Sequence, residues 1–192
     1  MKTGGGFEQC DNAQAAVEVE SRLIVGERVS QSPNDKQELV PTLAAIAPEA
    51  GTVASVLADS GFFSEAAVQQ VEQTAAGTPT GTMVSAPHDK TSHHRSVADL
   101  EKQPEPAAPA AGASVSEVMR HRRKTTAGQA LYQLRQQTVE PVFGLIKSAM
   151  GFRQFRLRGA AKASTEWTRV CLAYNLRRLH TLGDGAKLAA VR

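Results

Sequence analysis

The sequence predicts an α/β layer fold that passes into a helical C-terminal part. Three observations predict it: a strand and helix order of β-β-α-β-α over residues 1–76, a proline-rich break over 77–113, and apolar residues at helical spacing from 114 onward. The first strand is the loose apolar/polar alternation Asn12-Ala-Gln-Ala-Ala-Val17. The second centres on the β-branched run Leu23-Ile-Val25, and a turn near Glu18–Arg22 joins the two as a hairpin. Ser32-Pro-Asn-Asp35 is turn chemistry that also supplies an N-cap for a helix from about Lys36 to Ile46. Pro48-Glu-Ala-Gly51 ends that helix. Val53–Ala58 then reads as a buried strand running into the turn Asp59-Ser-Gly61, and Ser64 caps a short helix from Glu65 to about Gln73.

Residues 77–113 hold five of the nine prolines, including Pro104-Glu-Pro-Ala-Ala-Pro-Ala-Ala-Gly112. Proline supplies no backbone N–H and fixes φ, so that string forms neither a helix nor a central strand. It reads as a linker or irregular insertion between 1–76 and the helical part 114–192. Ser114-Val-Ser-Glu117 fits a capping box before a short helix ending near Lys124. Thr126-Ala-Gly-Gln129 opens a second helix, along which Leu131, Leu134, Val142, Leu145 and Ile146 recur at helical spacing, with a bend expected at Pro141. A basic loop, Arg153-Gln-Phe-Arg-Leu-Arg158, follows. The last helix is expected over about Ser164 to Leu182, with Trp167, Val170, Cys171, Tyr174 and Leu179 largely inward.

Charge is distributed unevenly. Residues 1–117 carry 7 Lys and Arg against 16 Asp and Glu, a balance of −9; residues 118–192 carry 15 against 3, a balance of +12. A basic block of that density points to a polyanion partner, nucleic acid being the commonest, or to a solvated helical face. No run approaches the roughly 20 apolar residues of a membrane span, and Met1-Lys-Thr-Gly-Gly-Gly6 has no signal-peptide core. Cys10 and Cys171 are too few and too far apart for a disulfide framework or a metal knuckle, and read as reduced thiols of a cytoplasmic protein.

Two carboxylates stand where chemistry is possible. Asp59 sits where a buried strand meets a turn, the place where ligands gather in open α/β sheets, or it simply caps that turn. Glu140 lies mid-helix with Lys147 seven residues on, so both project from nearly the same face. Facing Asp59 across a cleft, it would help hold Mg²⁺, a hard cation that selects oxygen ligands; otherwise it pairs loosely with Lys147. His88, His93 and His94 lack metal-ligand spacing. Ser64 lacks the surroundings of an activated nucleophile, and Gly4-Gly-Gly6 has no preceding strand and no lysine.

Several separate stretches resemble bacterial insertion-sequence DDE transposases, in the family's order. Thr138-Val-Glu-Pro-Val-Phe-Gly-Leu-Ile-Lys147, Gly151-Phe-Arg-Gln-Phe-Arg-Leu-Arg-Gly159 and Glu166-Trp-Thr-Arg-Val-Cys-Leu-Ala-Tyr-Asn-Leu176 resemble their C-terminal end. Asn12–Val17, Leu23–Val25, Asn34-Asp-Lys-Gln37 and His93-His-Arg-Ser96 resemble other parts, and Leu57-Ala-Asp-Ser-Gly-Phe62 with Ser64-Glu65 resembles the second-aspartate motif. The resemblance implies a truncated ribonuclease-H-like fold, with a mixed sheet lacking its first strand. It makes Asp59 the second aspartate and Glu140 the glutamate of the DDE set, both as metal ligands and catalytic groups. Tyr132, Arg135, Glu140 and Lys147 are similar to the family's Tyr-Arg-Glu-Lys signature, with Arg135 one place out of the usual spacing. Lys147 and the loop residues Arg153, Arg156 and Arg158 are then DNA-phosphate contacts, with Tyr132 and Arg135 beside them.

The resemblance implies Mg²⁺-dependent phosphodiester cleavage and strand transfer in the intact family. Here the first aspartate is expected to be missing with the strand that carries it, which implies an inactive copy with weak or absent metal binding. Asp59 and Glu140 are expected to face one cleft. The implied partners are DNA and a full-length transposase, with no membrane, in the cytoplasm at the nucleoid. The alternatives are a non-catalytic DNA-binding regulator of a full-length transposase and, more remotely, an independent metal-dependent nuclease.

Overall fold

The computed structural model describes residues 2–3, 6–7, 11–74, 81–84 and 106–190. Among the described residues six strands and five α-helices follow one another: β1 (Lys2–Thr3), β2 (Gly6–Phe7), β3 (Asn12–Val17), β4 (Ile24–Ser30), α1 (Leu39–Ala44), β5 (Ser55–Ala58), α2 (Glu65–Thr74), β6 (Gly81–Val84), α3 (Val115–Lys124), α4 (Thr126–Ser148) and α5 (Ala160–Ala190). The chain is mixed α/β, as expected. The strands pair two by two, however, as β1 with β2, β3 with β4 and β5 with β6, so the expected single mixed sheet does not form among the described residues. Two compact units divide the chain. One comprises residues 1–34, 41–51 and 136–192; the other comprises 35–40 and 52–135.

In the first unit β3 and β4 form the expected antiparallel hairpin, with a bulge between Ala16 and Val17. The turn is held by Glu18, whose carboxylate accepts from the backbone N–H of Glu20 (3.0 Å) and Ser21 (2.6 Å) and from the Ser21 hydroxyl (2.6 Å). Arg22 takes a left-handed conformation at φ 57° to close it. The hairpin packs on α5 and the second half of α4 through a core of Ile24, Val142, Ile146, Trp167, Cys171 and Tyr174. Trp167, Cys171 and Tyr174 recur at helical spacing, which is why one stripe of α5 is buried. The Trp167 indole N–H donates to the Gln14 carbonyl (2.9 Å), and its ring stacks on Phe143 at 6.0 Å. Leu179, expected inward, is 51% exposed, because the buried stripe of α5 passes through Tyr174 and Asn175 instead.

The same helix closes the outer edge of β4. The Asn175 side chain accepts from the Ile24 N–H (2.9 Å) and donates to the Ile24 carbonyl (2.8 Å), as a neighbouring strand would. Tyr174 and Arg178 donate to the carbonyls of Arg22 and Ser21 (2.9 and 2.7 Å). Further along, Gly26 bridges to Ile46 and the Ala47 N–H donates to the Val25 carbonyl. A Cβ on Gly26 would lie 2.9 Å from the Ile46 nitrogen, so only glycine allows that approach. These contacts take up the polar groups of the Ile24–Gly26 stretch, which protects that part of the β4 edge.

In the second unit β5 pairs in parallel with β6, a strand inside the segment expected to be a linker. Leu39, Val56, Ala58, Phe63, Ala67, Val68, Val71 and Met119 are its buried apolar residues among those described. Ser64 caps α2 as expected, its hydroxyl accepting from the Ala67 N–H. The capping box of α3 is present on both arms: the Glu117 N–H donates to the Ser114 hydroxyl, and the Ser114 N–H to the Glu117 carboxylate. An ion pair of 2.6 Å joins Arg122 of α3 to Glu72 of α2. Where α3 meets α4, the Thr125 hydroxyl donates to the Arg122 carbonyl and accepts from the Gly128 N–H. Helix α4 runs on through Pro141 to Ser148 and contributes residues to both units.

Candidate functional site

Asp59 follows β5 directly, on the turn the sequence assigned to it. Its carboxylate accepts from the Ser60 N–H (2.7 Å), which makes it the N-cap of the short 3-10 turn Ser60–Phe62. Its second oxygen lies 4.0 Å from Arg135, whose guanidinium also sits 5.1 Å from the centre of the Tyr132 ring. The Arg135 side chain is 14% exposed and that of Asp59 53%. Asp59, Tyr132 and Arg135 thus come together in one unit, with Arg135 turned to the carboxylate and the ring. At that length and exposure the ion pair contributes little stability.

Glu140 and Lys147 belong to the other unit. Both are exposed on α4, two turns apart on one face, and no ion pair joins them among the described residues. Asp59 and Glu140 are thus described in separate units. Among the described residues no three His, Cys, Asp or Glu side chains come together as a metal-binding group. The described carboxylates do not by themselves make up the several converging groups that a two-metal centre needs. His88, His93, His94 and Cys10 lie outside the described residues. Cys171 is a buried free thiol whose pKa burial, aided by the nearby Glu27 charge, pushes up to about 12.

The basic loop between α4 and α5 has a defined conformation. Gly151, at φ +71°, turns the chain out of α4, with the Phe152 N–H donating back to the Ile146 carbonyl. Phe152 lies 5.5 Å from Phe155 edge-on and 6.1 Å from Trp167, which anchors the loop on the core. Glu166, in the first turns of α5, reaches back and accepts from the N–H groups of Arg156 (3.0 Å) and Leu157 (3.0 Å). Gly159, at φ +90°, leads into α5. Arg153, Arg156 and Arg158 are held on this frame with exposed side chains, and Lys162 and Arg169 of α5 are exposed as well. Sequence reasoning identified the arginines and missed Glu166 as their organiser. The available signal was its rarity, since Glu140, Glu166 and Asp184 are the only acids in 118–192.

The basic loop is thus pinned by a carboxylate and anchored on an aromatic core. Residues 102–180 match the family model of the transposase DDE domain. The match spans α3, α4, the basic loop and most of α5, and includes Tyr132, Arg135, Glu140 and Lys147. The comparisons with curated proteins and with solved structures find no match. No helix among the described residues is long and apolar enough to cross a membrane.

Proposed function

We propose that this chain is the DNA-holding part of a ribonuclease-H-like DDE transposase catalytic domain. In this reading Lys147, Arg153, Arg156 and Arg158 grip phosphate, and Asp59 and Glu140 are the carboxylates it contributes to phosphodiester cleavage and strand transfer. The observation that carries the reading is the match of residues 102–180 to the transposase DDE domain. Support comes from the pinned loop, which sets three exposed arginines in one short segment next to α5. The Arg156 and Leu157 amides are occupied by Glu166, and the exposed guanidinium groups are the groups offered to phosphate. Such contacts orient DNA without reading its sequence.

The expected behaviour is salt-sensitive, sequence-independent binding, with Kd about 10⁻⁴ to 10⁻⁶ M. If the four cations contact phosphate, log K falls with log salt at a slope no steeper than about −4. A titration of duplex DNA at two salt concentrations checks this, and an affinity that ignores salt would refute it.

A second reading is favoured by the engagement of Asp59 with Ser60 and Arg135. In it the chain binds DNA without catalysis and regulates a full-length transposase by competition or by joining it. The chain alone, with Mg²⁺ or Mn²⁺, is then expected not to nick DNA. Metal-dependent nicking that Asp59→Asn abolishes would decide for the catalytic reading.

A further inference from the structure

We propose that the outward face of α5 is a docking seam for an acidic, leucine-bearing α-helix of another protein. The inward stripe of α5, through Trp167, Cys171 and Tyr174, is spent on the hairpin. On the opposite side Leu172, Leu176 and Leu179 are 57%, 60% and 51% exposed. They follow the four-three spacing of a helix-pairing seam, which is narrower than the broad apolar face of a helix lying on a lipid surface. Extending the same heptad toward the start of α5 places exposed Arg169, Thr165 and Lys162 on the seam. It is therefore apolar at one end and basic at the other. Among the described residues no acid pairs with Lys162 or Arg169.

That division selects the occupant. In a parallel pair with a second copy, Lys162 and Arg169 would each face their own counterpart. In an antiparallel pair those cations would lie against the leucine end. Both arrangements bring unpaired cations into a seam, which is unfavourable. A helix with leucines opposite Leu172, Leu176 and Leu179 and carboxylates opposite Lys162 and Arg169 satisfies both ends at once. Because the leucines are exposed, their replacement tests docking without touching the core.

The test uses the full chain and a labelled synthetic helix bearing leucines at four-three spacing and glutamates at the seam positions facing Lys162 and Arg169. Fluorescence anisotropy is expected to show saturable binding, weakened at least about tenfold by Leu176→Gln, with circular dichroism and the thermal midpoint unchanged. A peptide with lysines in place of the glutamates is expected to bind at least about tenfold more weakly and to recover on the Lys162→Glu, Arg169→Glu chain. Failure of the glutamate peptide to bind, or equal binding of both peptides, would overturn the proposal. So would self-association of the chain, or its partition onto anionic phospholipid vesicles, if Leu176→Gln abolishes either.

Discussion

Asn175 shows how one side chain can stand in for a strand. Its amide donates to and accepts from Ile24, so a helix satisfies backbone groups that would otherwise form a ladder. Asn175→Ala leaves both groups unpaired and is expected to cost about 1 to 3 kcal/mol, measured by urea denaturation; a change within a few tenths would mean that water replaces the amide at no cost. Glu18 makes a different contribution. The Ser21 hydroxyl, followed by the backbone N–H groups of Glu20 and Ser21, lowers its pKa below the ordinary value of 4.5. The unfolded state binds the proton more tightly, so the contribution is full above pH of about 4.5 and is lost as pH falls through the lowered folded value. Glu18→Gln is accordingly expected to flatten the loss of stability on acidification below about pH 5. Its exposure keeps the effect small, and an unchanged pH profile would remove Glu18 from the account.

At the scale of elements, the joints carry the information that periodicity does not. The step from α3 to α4 depends on Gly128, where a Cβ would lie 1.8 Å from the Arg122 carbonyl oxygen. Backbone must move to admit it, so Gly128→Ala is expected to destabilise the chain by roughly 1 to 3 kcal/mol, read as a lowered thermal midpoint. The basic loop depends on Glu166 in a similar way. Glu166→Ala removes the acceptor for Arg156 and Leu157 and is expected to lower DNA affinity by about 1 kcal/mol, roughly fivefold, while every loop cation remains. Arg156→Ala is expected instead to reduce the salt slope by about 1. Equal changes in slope for both variants would show that Glu166 does not act by positioning the loop.

Across the whole molecule, the charge balance of −9 over residues 1–117 and +12 over 118–192 separates an acidic part from one that holds the loop and α5. Among the described residues no three His, Cys, Asp or Glu side chains gather into a metal-binding group. A ligand that binds only the folded chain raises its thermal midpoint. Adding Mg²⁺ is expected to leave that midpoint in place, and a rise that Asp59→Asn or Glu140→Gln removes would show that a metal site forms.

The capping box at Ser114, the caps at Asp59 and Ser64, the hairpin turn near Glu18 and the inward stripe of Trp167, Cys171 and Tyr174 were all legible in the sequence. Each is written in residues a few positions apart, where helical or strand geometry alone brings the groups together. The residues of the candidate site were legible as types and as motifs: carboxylate, arginine loop, Tyr132 and Arg135. What the tertiary structure decided lies between distant residues. Asn175 reaches across 151 positions to Ile24, Trp167 across 153 to Gln14, and Arg135 turns to Asp59. It also decided that Leu179 faces outward. No local pattern encodes which polar group fills which edge, because that choice depends on how separate elements pack.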